Sequence, residues 1–268
     1  QDSILITQPG NSWHVGVADG IGGLPHGEIA SVQTLRYLHR RMIQEFGAEI
    51  IERVDPMALY NRVSGFLAEA CVHLKSITND EDYSGTTVTG ALRLSSSRVL
   101  VYSVGDSMIA HVPRNPMQSI SYSVPHSTFE RSIMGGHLGR REALDRDTAW
   151  IPKAGQLQDM LTAAVGAGEV KPRGVFMSIL NVKPGDVLFL YTDGLPKTVG
   201  HCLPGETYTE DDLRLVEYGR PDRLLQYLAV GTDLSDLGRA EFRRQAKGPK
   251  ALVDDIGVVR VEIRAEEE

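Results

Sequence analysis

A chain of 268 residues, 41% hydrophobic and 24% charged, has the composition of an ordinary globular protein whose core needs no metal or disulfide to hold it. Its net charge of −7 argues against nucleic acid or an anionic membrane as the main partner. Cys71 and Cys202 lie far apart with no metal-ligand spacing and read as reduced thiols of a cytoplasmic protein; no apolar run reaches the ~20 residues that span a bilayer, and no signal-peptide pattern opens the chain.

In chain order, "SILIT" and "WHVGVA" predict two strands joined by a turn at "QPGN". The chain thus begins in a strand, and further residues upstream are expected. A helix is predicted from about Gly27 to Phe46, and a second where Asp55 can cap and Pro56 suits the first helical position. Leu59, Val63, Phe66, Leu67, Ala70 and Leu74 fall on one face of that second helix, which makes the stripe core packing. Cys71 lies within it.

From Gly85 the period changes to two. "TTVTGALRLS", "RVLVYSVGD", "MIAHVP" and "SISYSV" predict consecutive antiparallel strands, with turns at "SSS", "GDS" and "RNPM". Residues 125 to 173 are less regular and predict a flap or insertion with one helical candidate, "QLQDMLTAAVG". Strands return at "GVFMSIL" and "DVLFLYT", the latter apolar throughout and expected to be buried on both faces. Helices are predicted from Glu210 to about Ala246, then a last strand, "IGVVRVEI". With no strict β-α alternation, this order predicts an α+β fold: a central antiparallel β-sandwich flanked by helices on both faces, four layers αββα. No repeat or linker divides the chain, so residues 1 to 268 are read as a single domain.

Four stretches place an aspartate at the end or start of an apolar strand: "VGVADGIGG" (Asp19), "VYSVGDSM" (Asp106), "LFLYTDGL" (Asp193) and "VDDIGVVRV" (Asp254, Asp255). Asp2, ahead of the first strand, makes a fifth. Singly, each reads as a turn. Together they can converge, because the strands of a sandwich share their ends. Carboxylates that close repel one another and raise each other's pKa unless divalent cations lie between them. Hard oxygen ligands suit Mg²⁺ or Mn²⁺, and no His or Cys cluster competes for zinc. The glycines after Asp19 and Asp193 leave room for an ion to approach the backbone, and the Gly20 carbonyl is itself a candidate ligand.

"DGIGGLPHGEIAS", "SGTTVTGAL", "VYSVGDS", "LTAAVG", "VLFLYTDGL" and "DDIGVV" resemble, in order and rough spacing, the motifs of the metal-dependent protein phosphatases, the protein phosphatase 2C family. The resemblance runs from Asp2 to about Ile263. It looks like the bacterial form, since Ile21 stands where eukaryotic members usually have histidine. The resemblance implies a β-sandwich flanked by helices, phosphoserine and phosphothreonine proteins as substrates, and two Mn²⁺ or Mg²⁺ ions. By position it implies that Asp19 bridges the two ions, that Gly20 supplies a carbonyl, and that Asp193 and Asp254 complete the pair. Asp2 would hold a metal-bound water, and Asp106 with Asp193 a third, weaker ion. Two cations about 3.5–4 Å apart activate a water and neutralise phosphoryl oxygens, so no protein nucleophile is needed. A partner Ser/Thr kinase is implied as well.

The match departs from the family at several places. The upstream arginine that grips phosphate has no counterpart here; it lies in residues before Gln1, or Arg140, Arg141 or Arg173 substitutes. Met108 replaces the arginine that follows "GDS", Pro125 the aspartate of "DHS", and Gly257 a threonine after the last metal aspartate. His14, His26 and His126 read as surface or loop histidines. Two alternatives stay open on sequence: a pseudophosphatase that acts by docking, and a narrow-substrate regulatory phosphatase of the anti-sigma-antagonist type.

Overall fold

The computed structural model describes residues 1–7, 13–47, 55–78, 84–127, 161–167, 171–172, 174–199, 209, 220–231 and 255–265. Strands β1 (Asp2–Thr7), β2 (His14–Asp19), β4 (Val88–Ser95), β5 (Arg98–Val104) and β9 (Phe176–Asn181) form one sheet in the order β1-β2-β4-β5-β9. The second sheet is β11-β10-β6-β7, from β6 (Met108–Val112), β7 (Ser121–Tyr122), β10 (Val187–Tyr191) and β11 (Val258–Glu262). A short pair joins β3 (Gly85–Thr86) to β8 (Val165–Gly166). Helices α1 (Gly27–Phe46) and α2 (Pro56–Ile77) cover the first sheet, α3 (Gly194–Val199) follows β10, and α4 (Asp222–Ala229) covers the second sheet.

Strand periodicity explains the layers. Along β10, Leu188 and Leu190 point between the sheets, meeting Val15, Val17 and Val101, while Val187, Phe189 and Tyr191 point at Leu224, Leu225 and Leu228 of α4. Burial on both faces is what the unbroken apolar run predicted. On the far side, the stripe of α2 packs with Leu35, Leu38 and Met42 of α1 against Leu92, Leu100 and Tyr102. Asp55 caps α2 by accepting the Met57 N–H at 3.0 Å, with Pro56 in the first turn. The fold is the four-layer αββα sandwich expected from the sequence.

Three expectations need correction. The "GDS" turn is not a hairpin: β5 pairs with β4 and β9, whereas β6 pairs with β10 and β7, so the chain changes sheets at Gly105–Ser107. Gly105, at φ 105°, takes the left-handed backbone that this crossing requires. The helical candidate at 156–166 is not a helix where it is described. Leu161 bridges to Ser127 and Val165–Gly166 is strand, because Gly166 (φ 85°) and Ala167 (φ 51°) both leave the helical region. The stretch 156–160, the QPGN turn, and most of 125–173 and 210–246 lie outside the described residues.

The third correction is His14, which is fully buried in β2 rather than at the surface. Its Nε2 lies 2.9 Å from the Tyr102 hydroxyl and its Nδ1 3.3 Å from Nδ1 of His39, which in turn meets Thr7 Oγ1 at 3.2 Å. Burial first, then the neighbouring His39, pushes His14 down to about 3. The unfolded chain takes up this proton near pH ~6.5, so stability present above that pH is lost as pH falls from ~6.5 toward about 3. We therefore expect the stability read from urea unfolding to fall by about 3 kcal/mol between pH 7 and pH 4. His14→Gln should flatten the profile relative to the parent chain; parallel profiles would refute this account.

Candidate metal centre

The strand ends that carry Asp2, Asp19, Asp106 and Asp193 meet at one edge of the sandwich. Antiparallel register sets Asp2 directly opposite Asp19 where β1 and β2 end. Their carboxyl groups hydrogen-bond to each other. Burial, then Asp2, then Asp193 and Asp106, push Asp19 up to about 8. Asp2 is raised by burial as well, held back by hydrogen bonds from Thr192, Asp19 and the Gly257 backbone.

Asp186, at the opposite end of β10, shows what a structural carboxylate looks like in the same molecule. Burial alone would raise it, yet the N–H groups of Arg114 and Lys183, each at 2.9 Å, and His111 Nε2 at 3.0 Å hold it below the usual range. Asp186 is surrounded by donors; Asp19 is surrounded by other carboxylates. That contrast separates a structural carboxylate from a candidate functional one.

Asp193 follows β10 and opens α3. One oxygen accepts from Lys197 Nζ at 2.5 Å, one helical turn on, while Oδ1 is buried with no hydrogen-bond partner among the described residues. Asp106 sits in the sheet-changing turn, flanked by Gly105 and Ser107, both of which are fixed. Gly105 N–H donates to His126 Nδ1 at 3.2 Å and its carbonyl accepts the His126 N–H at 2.7 Å. His126 is thus neither surface nor free: it braces the turn, and burial lowers its pKa. His26 is exposed at the start of α1, in left-handed backbone at φ 59°.

The "SGTT" segment holds both halves together. The Asp19 carbonyl accepts Thr87 N–H at 2.8 Å and Thr86 Oγ1 at 2.7 Å, and the Asp19 N–H donates to Thr87 Oγ1 at 3.0 Å. Thr87 Oγ1 also lies 2.7 Å from Ser107 Oγ, one residue past Asp106. Sequence reasoning missed these hydroxyls, together with Lys197 and Thr192. Their signal was a run of buried Thr and Ser in strands otherwise built from aliphatic residues.

Of the residues expected to hold metal, Asp2, Asp19, Asp106 and Asp193 are brought to one edge, and Gly20 adjoins them through its bridge to Thr86. Asp254 lies outside the described residues, as do Arg140, Arg141, Arg173 and Cys202. Among the described residues, no three His, Cys, Asp or Glu side chains close on one metal position. Asp2 and Asp19 bond to each other instead, and Asp193 is turned toward Lys197. Cys71 is buried in the α2 stripe with the Gly166 N–H donating to its Sγ at 3.3 Å, a packing role. Met108 is a core residue beneath α4.

No protein-family model matches the sequence, and no curated protein does. Solved structures do. The Mycobacterium tuberculosis serine/threonine phosphatase PstP/Ppp aligns at 18% identity and TM-score 0.57, over 98% of this chain and 92% of that one. MsPP of Mycobacterium smegmatis, a PPM Ser-Thr phosphatase in complex with cacodylate, aligns at 21% and 0.54, over 98% and 91%. Staphylococcus aureus Stp1, a serine/threonine phosphatase, aligns at 20% and 0.52, over 85% and 82%. The chain therefore has the fold of the PPM-type Ser/Thr phosphatases.

Gly20 and Gly22, two residues apart, differ in what they do. A Cβ on Gly20 would lie 2.4 Å from the Gly27 carbonyl where α1 begins, whereas one on Gly22 meets nothing within 4 Å. Close packing of α1, rather than open space, is thus why Gly20 is glycine. Gly20→Ala is expected to cost about 1–3 kcal/mol in urea unfolding through overpacking, while Gly22→Ala stays near the parent; equal effects would contradict this reading.

Proposed function

We propose that this chain is a metal-dependent protein serine/threonine phosphatase that uses Mn²⁺ or Mg²⁺, and that its residues form a single catalytic domain. The observation that carries the reading is the acidic edge, where burial and three neighbouring carboxylates push Asp19 up to about 8. Such a cluster is stable in ionised form only with cations among its oxygens. The donor set fits: it is all oxygen, and the buried Asp193 Oδ1 has a lone pair that no group among the described residues uses. The fold, shared with proteins described as Ser/Thr phosphatases, supports the same reading.

In this reading Asp19, the Gly20 carbonyl, Asp193 and Asp254 would hold two ions. Asp2 would line their outer face, and Asp106 with Asp193 would hold a third. When bound, the ions supply a nucleophilic water at neutral pH and positive charge against the phosphoryl oxygens. The chain's own residues hold the geometry. Thr86 and Thr87 fix the Asp19 backbone, and the Gly105–Ser107 turn, braced by His126, fixes Asp106. Lys197 offsets the charge of Asp193 by donating to its Oδ2. Phosphorylated proteins are the substrates, with a Ser/Thr kinase as counterpart. No helix among the described residues is long and apolar enough to cross a membrane, and the reading places the enzyme in the cytoplasm.

The test is hydrolysis of an aryl phosphate and a phosphothreonine peptide with Mn²⁺, with Mg²⁺ and with excess chelator. Activity is expected only with metal. Failure of a chain that still binds Mn²⁺ to hydrolyse either substrate would instead favour docking without catalysis. Asp193→Asn should reduce turnover by at least ~100-fold while keeping the thermal midpoint, and unchanged turnover would remove Asp193 from the mechanism. Asp106→Asn should weaken metal binding less.

A further inference from the structure

We propose that Thr192 is the positioning residue for Asp2, and that position 257 is glycine to make room for that contact. The inference rests on the metal-dependent reading above. Thr192 is fully buried where β10 ends, one residue before Asp193. Its N–H donates to the Gly257 carbonyl at 2.9 Å, and its hydroxyl accepts the Gly257 N–H at 3.0 Å. With one lone pair so engaged, the single hydroxyl hydrogen is free to donate, and it goes to Asp2 Oδ2 at 2.6 Å. The alternative acceptor, the Gly257 carbonyl, is 3.5 Å away.

One hydroxyl therefore ties three strand ends from both sheets: β1 through Asp2, β10 through Thr192 itself, and β11 through Gly257. Space is tight around it. A Cβ at Gly257 would sit 3.1 Å from Thr192 Cγ2, 3.2 Å from Asp2 Oδ2 and 3.5 Å from Asp2 Cβ. The resemblance expects threonine at this position. In this chain such a side chain would press on the Asp2 carboxylate, and the hydroxyl that meets it comes from Thr192 instead. Partners that orient a ligand in this way typically contribute about tenfold or more to metal affinity.

The experiment is a Mn²⁺ titration followed by electron paramagnetic resonance of the free ion, with thermal midpoints recorded alongside. Thr192→Val should weaken Mn²⁺ binding about tenfold, and Thr192→Ser, which keeps the hydroxyl, should retain parent affinity. In an Asp2→Ala background, Thr192→Val should cause no further loss of affinity, because the group it positions is gone. A purely structural Thr192 would lower the midpoint without that pattern. Parent-like Mn²⁺ affinity in Thr192→Val, or a loss that adds to Asp2→Ala, overturns the proposal. Should Thr192→Val not fold, Gly257→Ala decides: weaker Mn²⁺ binding in the folded variant supports it and unchanged binding overturns it. A parent chain that takes up no Mn²⁺ overturns the phosphatase reading and this inference with it, whereas parent binding with an insensitive Thr192 removes only this inference.

Discussion

Mutual repulsion among half-buried carboxylates is the constraint around which the functional edge of this protein is built. Asp19 lies among Asp2, Asp193 and Asp106, and burial with that company pushes it up to about 8. A folded protein keeps such an arrangement only if the surrounding structure holds it in place. Here the holding is done by backbone and hydroxyl groups, which add no further negative charge. Asp19 is fixed through its own N–H and carbonyl by Thr86 and Thr87, Asp2 through Thr192, and the Asp106 turn through His126 and Ser107. Lys197 sets a cationic side chain against Asp193.

The two-sheet architecture serves that edge. A single sheet could align strand ends only in a row. The chain changes sheets at Gly105–Ser107, and Thr192 clasps Gly257 and Asp2 across the gap, so carboxylates from both sheets face one another. The apolar interior of Val17, Val101, Leu188 and Leu190 fixes the separation between the layers, and rigid packing of this kind resists small shifts at its edges. Stability and site geometry therefore depend on the same contacts.

Much of this was legible in sequence because it follows local rules. Helix α1 was legible in its bounds and α2 in its stripe and cap; β10 announced double burial; the recurring strand-end aspartates pointed to one cluster. What escaped was set by tertiary contact. "GDS" has the composition of a hairpin turn, and only pairing with β9 and β10 makes it a crossing between sheets. "LTAAVG" has helical composition, yet positive φ at Gly166 and Ala167 overrides it. His14 sat in an apolar strand, but its partners, Tyr102 and His39, are distant in sequence, so neither its burial nor its neutrality could be read locally. Thr192 and Thr87 looked like ordinary strand residues, since their role lies in which backbone they meet.

Gly90 and Tyr102 stand directly opposite each other on β4 and β5, and the tyrosine ring occupies the space a side chain at position 90 would fill. A Cβ there would lie 2.3 Å from the tyrosine hydroxyl, the same hydroxyl that meets His14. The three positions are therefore one unit of inheritance. A relative that gains a side chain at position 90 must surrender the tyrosine, and with it the partner that makes a buried histidine tolerable. Positions 14, 90 and 102 should consequently change together or not at all when sequences of this fold diverge, even though none of them touches the acidic edge.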